Sequence, residues 1–363
     1  MIVDDAIVAR RLLTRWIGAE PDMVIAACLR TGREAVDRLE ECDPDVVVLD
    51  VDMPELDGIS ALPMLLRKKH DLVVIMASTL TRRSAETSLR ALSLGAADYV
   101  PKPQAAPDAG TSAAFQRELI DKIRHLGGHR RRQRQDKPAP ARSVPATDAR
   151  AVVAPPAVAF SLRPFALTVP RVLLIGSSTG GPQALTSLIG QIGTTMERAP
   201  VLITQHMPPT FTMVLAEHLT RVSGRSVREA EHDEAVVAGS VYVAPGGRHM
   251  RVKRGRDGAP AIALGDDPPI NFCKPSVDPL LSSAAEVWGT GSLALVLTGM
   301  GSDGRYGAAD IAAVGGSVIA QDEASSVVWG MPRAVAQAGL CSAVLPLSQI
   351  AARINRLFAG DRA

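Results

Sequence analysis

Short runs of Val, Leu, Ile and Ala recur along the chain, and several lead directly into a polar residue with chemical potential: Ile2-Val3 into Asp4, Val46–Leu49 into Asp50, Val73–Ala77 into Ser78. Runs of this length are too short for a helix. An uninterrupted apolar run has no solvent face, so it suits a strand buried on both sides, as in a parallel sheet covered by helices. The spacers between runs have helical periodicity. In the first, Val8, Leu12, Leu13, Trp16 and Ile17 recur at helical spacing, with Arg10, Arg11 and Arg15 between them.

This alternation divides the 363 residues into two α/β units. In residues 1–126 the runs Ile2-Val3, Val24–Ala27, Val46–Leu49, Val73–Ala77 and Tyr99-Val100 predict five strands of a doubly wound parallel sheet, with the active edge at the strand C-termini. Gly127-Gly128 is expected to end the last helix, and 127–170 to form a linker: a basic run from His129 to Arg134, then a Pro- and Ala-rich stretch to Pro170. The basic run could touch an acidic partner or a membrane surface, but lacking aromatics it reads first as a solvated charge cluster. From 171 to 358 the alternation resumes. Strands are expected at Val172–Ile175, Val201–Thr204, Val241–Ala244, Leu293–Thr298, Ser317–Ala320 and Ala343–Leu345. Helices are expected at Pro182–Ile189, Phe211–Thr220, Pro279–Val287 and Tyr306–Ala313.

Composition narrows the functional classes. The net charge of +2 supplies no global field for nucleic acid or a membrane surface. Cys28, Cys42, Cys273 and Cys341 form no CxxC pair, which suits reduced thiols in the cytoplasm and neither a zinc site nor a disulfide framework. No apolar run approaches the roughly 20 residues that span a bilayer, and the start of the chain leaves no room for a signal peptide. Only Met1, Ile2 and Val3 precede Asp4, whereas a central strand usually carries more apolar residues. The expectation is that the true start lies upstream or that the first unit is labile.

In the first unit, Asp5 and Asp50 at neighbouring strand ends would form a hard-oxygen pocket suited to Mg²⁺. Asp50 ends the most apolar strand and is the expected phosphoryl acceptor. Lys102 would neutralise a phosphoryl oxygen, and Ser78 would donate a hydroxyl. The peptide before Pro103 is a candidate cis bond. Taken singly, Asp4-Asp5 could cap a helix, Asp50 and Asp52 could be turn residues, and Lys102 could be a surface lysine. Together they point to a phosphorylation switch.

The second unit contains Gly176-Ser177-Ser178-Thr179-Gly180-Gly181 between a strand and a helix, the pattern of a nucleophile elbow centred on Ser178. Of His206, His218, His232 and His249, only His206 directly follows a strand. Asp303 follows the strongest strand within Thr298-Gly299-Met300-Gly301-Ser302-Asp303-Gly304, whose glycines would let backbone amides approach an oxyanion. Other readings remain open on spacing alone. A glycine-rich turn can bind phosphate, Asp303-Gly304 can be a turn, and the order Ser, His, Asp differs from that of the α/β-hydrolases.

Val3-Asp4-Asp5, Val48–Pro54, Asp57-Gly58, Ala77-Ser78 and Gly95–Pro103 resemble the receiver domain of two-component response regulators. The resemblance implies a flavodoxin-like fold, phosphorylation of Asp50 by a histidine kinase, and Mg²⁺ held by Asp5, Asp50 and the Asp52 carbonyl with Asp4 nearby. It also makes Tyr99 an aromatic switch residue moving with Ser78. Residues 171–350 resemble the catalytic domain of chemotaxis protein-glutamate methylesterases. The matching stretches are Ile175–Gly181, Thr204–Pro209, Tyr242–Gly246, Pro275–Asp278, Leu297–Gly301 and Gly330–Arg333. This implies a larger Rossmann-like domain with Ser178, His206 and Asp303 as catalytic triad and the Met300 amide as oxyanion donor. The esterase reaction would need no cofactor. The implied substrate is a glutamyl methyl ester on a chemoreceptor, with glutamine deamidation by the same groups. Two departures from the family pattern, Ser302 for a common asparagine and Phe272-Cys273-Lys274 for a more basic stretch, remove no triad member.

Overall fold

The computed structural model describes residues 1–102, 109–135 and 160–361. The bond before Pro103 and the linker residues 136–159 lie outside the described residues. The first unit runs β1 (Ile2–Val3), α1 (Ile7–Gly18), β2 (Cys28–Leu29), α2 (Gly32–Asp37), α3 (Leu39–Cys42), β3 (Val46–Asp50), α4 (Gly58–Lys68), β4 (Val73–Ser78), α5 (Arg82–Ser93), β5 (Asp98–Pro101) and α6 (Ala109–Gln135). Its parallel sheet has the order β2-β1-β3-β4-β5.

Two expectations here need correction. Val24–Ala27 is not a strand; pairing begins at Cys28, opposite Ile2. β1 offers only Ile2 and Val3 as partners, so Val24 has nothing to pair with and is 92% exposed. Nor does Gly127-Gly128 stop α6, which continues to Gln135. A glycine costs a helix only about 1 kcal/mol relative to alanine, and the Arg and Gln residues that follow are good helix formers.

The second unit comprises β6 (Val172–Ser177), α7 (Gly181–Ile189), α8 (Gly193–Arg198), β7 (Val201–Gln205), α9 (Phe211–Ser223), β8 (Val227–Glu229), β9 (Val241–Val243), β10 (His249–Arg254), β11 (Pro260–Gly265), α10 (Val277–Trp288), β12 (Ser292–Val296), α11 (Arg305–Ala313), β13 (Ser317–Gln321), α12 (Met331–Gln337), β14 (Ala343–Leu345) and α13 (Leu347–Phe358). Its seven-stranded parallel sheet has the order β14-β13-β12-β6-β7-β9-β8, and β10 and β11 form a separate antiparallel hairpin. The strand order reverses between β6 and β12, so the loops after them diverge and leave a crevice at the C-terminal edge, where such sheets bind ligands.

Residues 160–170, expected as linker, are packed onto this second sheet. The Arg163 amide donates to the Cys341 carbonyl at 2.8 Å, and the Ala166 amide to Ser317 Oγ at 2.9 Å. Phe160 meets Trp329 edge-on, with ring centroids 5.7 Å apart.

The two units share an interface. One buried apolar cluster runs from Leu49 and Leu62 of the first to Leu185, Phe211 and Val214 of the second. α5 lies against α7 and α9.

Candidate active site and phosphorylation pocket

The parallel strands of the first sheet deliver Asp4, Asp50 and Lys102 to one edge. Lys102 Nζ lies 2.7 Å from Asp4 Oδ2 and 2.8 Å from Asp50 Oδ1. Carboxylate oxygens of Asp4, Asp5 and Asp50 come within 4.8 Å of one another. Asp4 and Asp50 are buried; Asp5 is exposed, as is Asp52. Burial pushes the Asp50 carboxyl up, Lys102 pulls it down and Asp4 raises it again, to a net value of about 6. Three carboxylates converging on one point form a hard-oxygen donor set that fits Mg²⁺. Gly58 closes the pocket from behind: a β-carbon there would come within 2.0 Å of the Asp50 carbonyl oxygen.

Of the expected switch residues, Lys102 meets the carboxylates, while Ser78 and Tyr99 have other partners. The Ser78 hydroxyl pairs with that of Ser88 at 2.8 Å. Tyr99 is buried, and its ring stacks on Phe211 of the second unit with centroids 4.8 Å apart and planes 7° apart.

At the second edge, β6, β7 and β12 run side by side in register. Ser178 therefore follows the central strand, with His206 on one side and the loop carrying Met300 and Asp303 on the other. His206 Nε2 lies 2.6 Å from Asp303 Oδ2. Ser178 abuts the Met300 turn: its amide donates to the Thr298 carbonyl at 3.0 Å, and a β-carbon on Gly299 would meet Ser178 Cβ at 2.9 Å. The elbow and the base are tied together by Gln205, which the sequence reading passed over. Its Nε2 donates to the Ser178 carbonyl at 2.9 Å and to the His206 carbonyl at 3.3 Å, while its Oε1 accepts from Ser177 Oγ at 2.7 Å. Gly181 is required here, because a β-carbon would sit 2.0 Å from Gln205 Oε1.

Burial opposes a charged His206, but the Cys273 sulfur and the Asp303 carboxylate outweigh it and raise its pKa to about 10. Cys273, named above only as part of a departure from the family pattern, is a second contact of His206. Burial pushes the Asp303 carboxyl up; hydrogen bonds from His206, the Val277 amide and Ser276 reverse this and hold it well below the usual carboxylate range.

The first unit stands over this edge. Met300 and Val327 pack, with buried Val328, into the apolar cluster that contains Val100 and Phe115 of the first unit. Gln183 Nε2 donates to the Ala96 carbonyl at 3.1 Å, and Arg82 Nη2 donates to both carboxylate oxygens of Glu217 at 2.7 and 3.0 Å. No helix among the described residues is long and apolar enough to cross a membrane.

Comparison with known proteins finds a match for each of the two units. Residues 1–112 match the response regulator receiver domain model, and residues 173–354 the CheB methylesterase model. A protein-glutamate methylesterase/protein-glutamine glutaminase of Rhodopseudomonas palustris strain BisB5 is 61% identical over 366 residues, covering 100% of this chain and 94% of the relative. A group 2 operon protein of the same name from Bradyrhizobium diazoefficiens is 60% identical over 376 residues, with the same coverage of both chains. Among solved structures, the catalytic domain of Thermotoga maritima CheB methylesterase aligns with a TM-score of 0.50 at 40% identity, covering 52% of this chain and 100% of that one. With relatives matched along its whole length and a family model on each of its two sheets, this chain belongs to the CheB methylesterase family, carrying a response-regulator receiver domain ahead of its methylesterase domain.

Proposed function

We propose that this protein is a phosphorylation-activated serine esterase that hydrolyses glutamyl methyl esters on chemoreceptors and deamidates receptor glutamines, working in the cytoplasm. The observation that carries this is the His206–Asp303 contact of 2.6 Å at the edge where Gln205 ties His206 to the Ser178 elbow. His206, held through Nε2 by Asp303, takes the Ser178 proton. Ser178 Oγ attacks the ester carbonyl, and the Met300 amide stabilises the oxyanion. His206 returns the proton to the departing methanol. Water then cleaves the acyl-enzyme, with His206 again the base and Asp303 holding its tautomer and charge. For a glutamine substrate the proton goes to the leaving ammonia. These steps need only the chain's own groups and water.

The receiver supplies control. A histidine kinase would phosphorylate Asp50, with Mg²⁺ held by Asp5, Asp50 and the Asp52 carbonyl, and Asp4 nearby, to offset the charge of the incoming phosphoryl group. Lys102 and Ser78 would bind phosphoryl oxygens. Turning Ser78 from Ser88 toward the phosphoryl group would be coupled to movement of Tyr99, which lies on Phe211. Loosening that stack would free the Met300 edge that the receiver covers.

The test is methanol release from a methylated chemoreceptor by the wild-type chain and by Ser178→Ala, beside labelling with a serine-directed phosphonate. Release and labelling that both vanish in Ser178→Ala support the reading. Release that persists in the variant overturns the serine mechanism. Turnover of small esters but not of the receptor overturns the substrate.

A further inference from the structure

Asp303 is held by more than His206. Its Oδ2 accepts from His206 and from the Val277 amide at 2.7 Å; its Oδ1 accepts from Ser276 Oγ at 2.7 Å, the Gly304 amide at 2.9 Å and the Asp278 amide at 3.2 Å. Three of these donors come from the start of α10 and the residue before it. Only Ser276 contributes a side chain, and it is completely buried, with 0% exposure.

We propose that Ser276 is a positioning residue for the esterase reaction, orienting the Asp303 carboxylate through its hydroxyl and itself held in place by the buried imidazole of His249. The Ser276 amide donates to His249 Nδ1 at 3.2 Å, and His249 Nε2 lies 3.1 Å from the Pro268 carbonyl. An acceptor role at Nδ1 and a donor role at Nε2 require the neutral tautomer protonated on Nε2. His249 is therefore a fixed two-ended strut and not a second base. It secures the Ser276 backbone from the β10 side, and the Ser276 hydroxyl then fixes the rotation of Asp303 about its carboxyl axis. That rotation sets the direction in which Oδ2 meets His206, and so the aim of the imidazole at Ser178.

A group that only filled space would affect rate through disorder. A hydroxyl hydrogen bond also draws charge from the carboxylate. Without it, Asp303 becomes a stronger acceptor for the remaining charged partner, the protonated His206, and the base gives up its proton at higher pH. The other titratable groups facing this pair are Asp278 on α10, which burial and Asp303 push up to about 6, and Cys273 against His206. Both remain in a Ser276 variant, so the shift reports the lost hydroxyl.

The proposal rests on the Ser178–His206–Asp303 reading, and its test keeps the two separable. The rate of phosphonate labelling of Ser178 in the full-length chain is followed by intact mass across a pH series, independently of any receptor. Ser276→Ala is expected to label about tenfold more slowly, with a pH midpoint raised by about half a unit. Ser276→Cys, with a weaker donor in the same place, is expected to fall between serine and alanine. In methanol release, kcat should fall with KM little changed. Labelling rates and midpoints equal to those of the unsubstituted chain would overturn the proposal. So would a slower rate with an unmoved midpoint and a lowered unfolding temperature, which would mark a packing role alone. Absence of labelling in the unsubstituted chain activated by a small acyl-phosphate donor would overturn the Ser178 reading, and the positioning role with it.

Discussion

His206 faces two demands. In the proposed mechanism it must be neutral to take the Ser178 proton, yet Cys273 and Asp303 favour its charged form and raise its pKa to about 10 despite burial. Because the reactive form is the deprotonated one, activity should climb as pH rises toward the folded pKa and be suppressed below it. The rising limb is expected well above the ordinary histidine value of about 6.5. Initial rates on a small methyl ester from about pH 6 to 10 measure it. A limb centred near pH 6.5 would show that the Cys273 and Asp303 contacts do not control the base. Cys273→Ala should lower the midpoint while leaving the Asp303 contact in place; an unmoved midpoint would remove Cys273 from that role.

At this scale the sequence places candidate polar residues at strand ends, where position and residue type coincide. Asp4, Asp50, Lys102, Ser178, His206 and Asp303 all lie where the expected strands put them. Gln205, Ser276, His249 and Cys273 were not legible. Their importance comes from contacts between elements distant in the chain, such as the 27 residues separating Ser276 from Asp303, and no local pattern records such a pairing.

Elements were read well where burial is two-sided. The six strands expected after residue 171 are all present in the parallel sheet, since strands covered on both faces read as continuous apolar runs. The β10–β11 hairpin was missed because it is covered on one face only. Arg251 and Lys253 alternate with Met250 and Val252, which leaves no apolar run to find. β8 offers Val227 as its one apolar residue, and α13 was overlooked although Ile350, Ile354 and Leu357 recur at helical spacing.

Two expected outcomes belong to this scale. Gly181→Ala puts a methyl group against Gln205 Oε1, and overpacking costs about 1–3 kcal/mol. Because Gln205 ties Ser178 to His206, phosphonate labelling should fall far more than the unfolding temperature; labelling at the wild-type rate would contradict the clamp. The second concerns the start of the esterase unit. A fragment beginning at residue 160 keeps Phe160 on Trp329 and Phe165 in the core, whereas one beginning at residue 171 loses both. Partial burial of two aromatic rings is worth about 2–4 kcal/mol, so denaturant titration should show the shorter fragment less stable by that order. Equal midpoints would return 160–170 to the linker.

Across the whole molecule, the contacts that hold the receiver over the esterase edge are individually modest. The Arg82–Glu217 pair is exposed and worth about 0.2–1 kcal/mol, and the Tyr99–Phe211 stack about 0.5–1.5 kcal/mol beyond its burial. A switch needs such a balance, because phosphorylation must be able to reverse it. Arg82→Glu should repel Glu217 and raise the unphosphorylated rate roughly two- to fivefold, and adding Glu217→Arg should restore the low rate. A basal rate unchanged by the single reversal would show that this pair does not hold the closed form.

Gating of Ser178 by the receiver is the centre of this account, and one comparison tests it directly: initial methanol release from a methylated chemoreceptor by the full chain, the full chain with a small acyl-phosphate donor, Asp50→Asn with the same donor, and the fragment beginning at residue 160. The account expects a low rate for the full chain, a rise with the donor, no rise for Asp50→Asn, and a high donor-independent rate for the fragment. Equal rates for the fragment and the unphosphorylated full chain would contradict it.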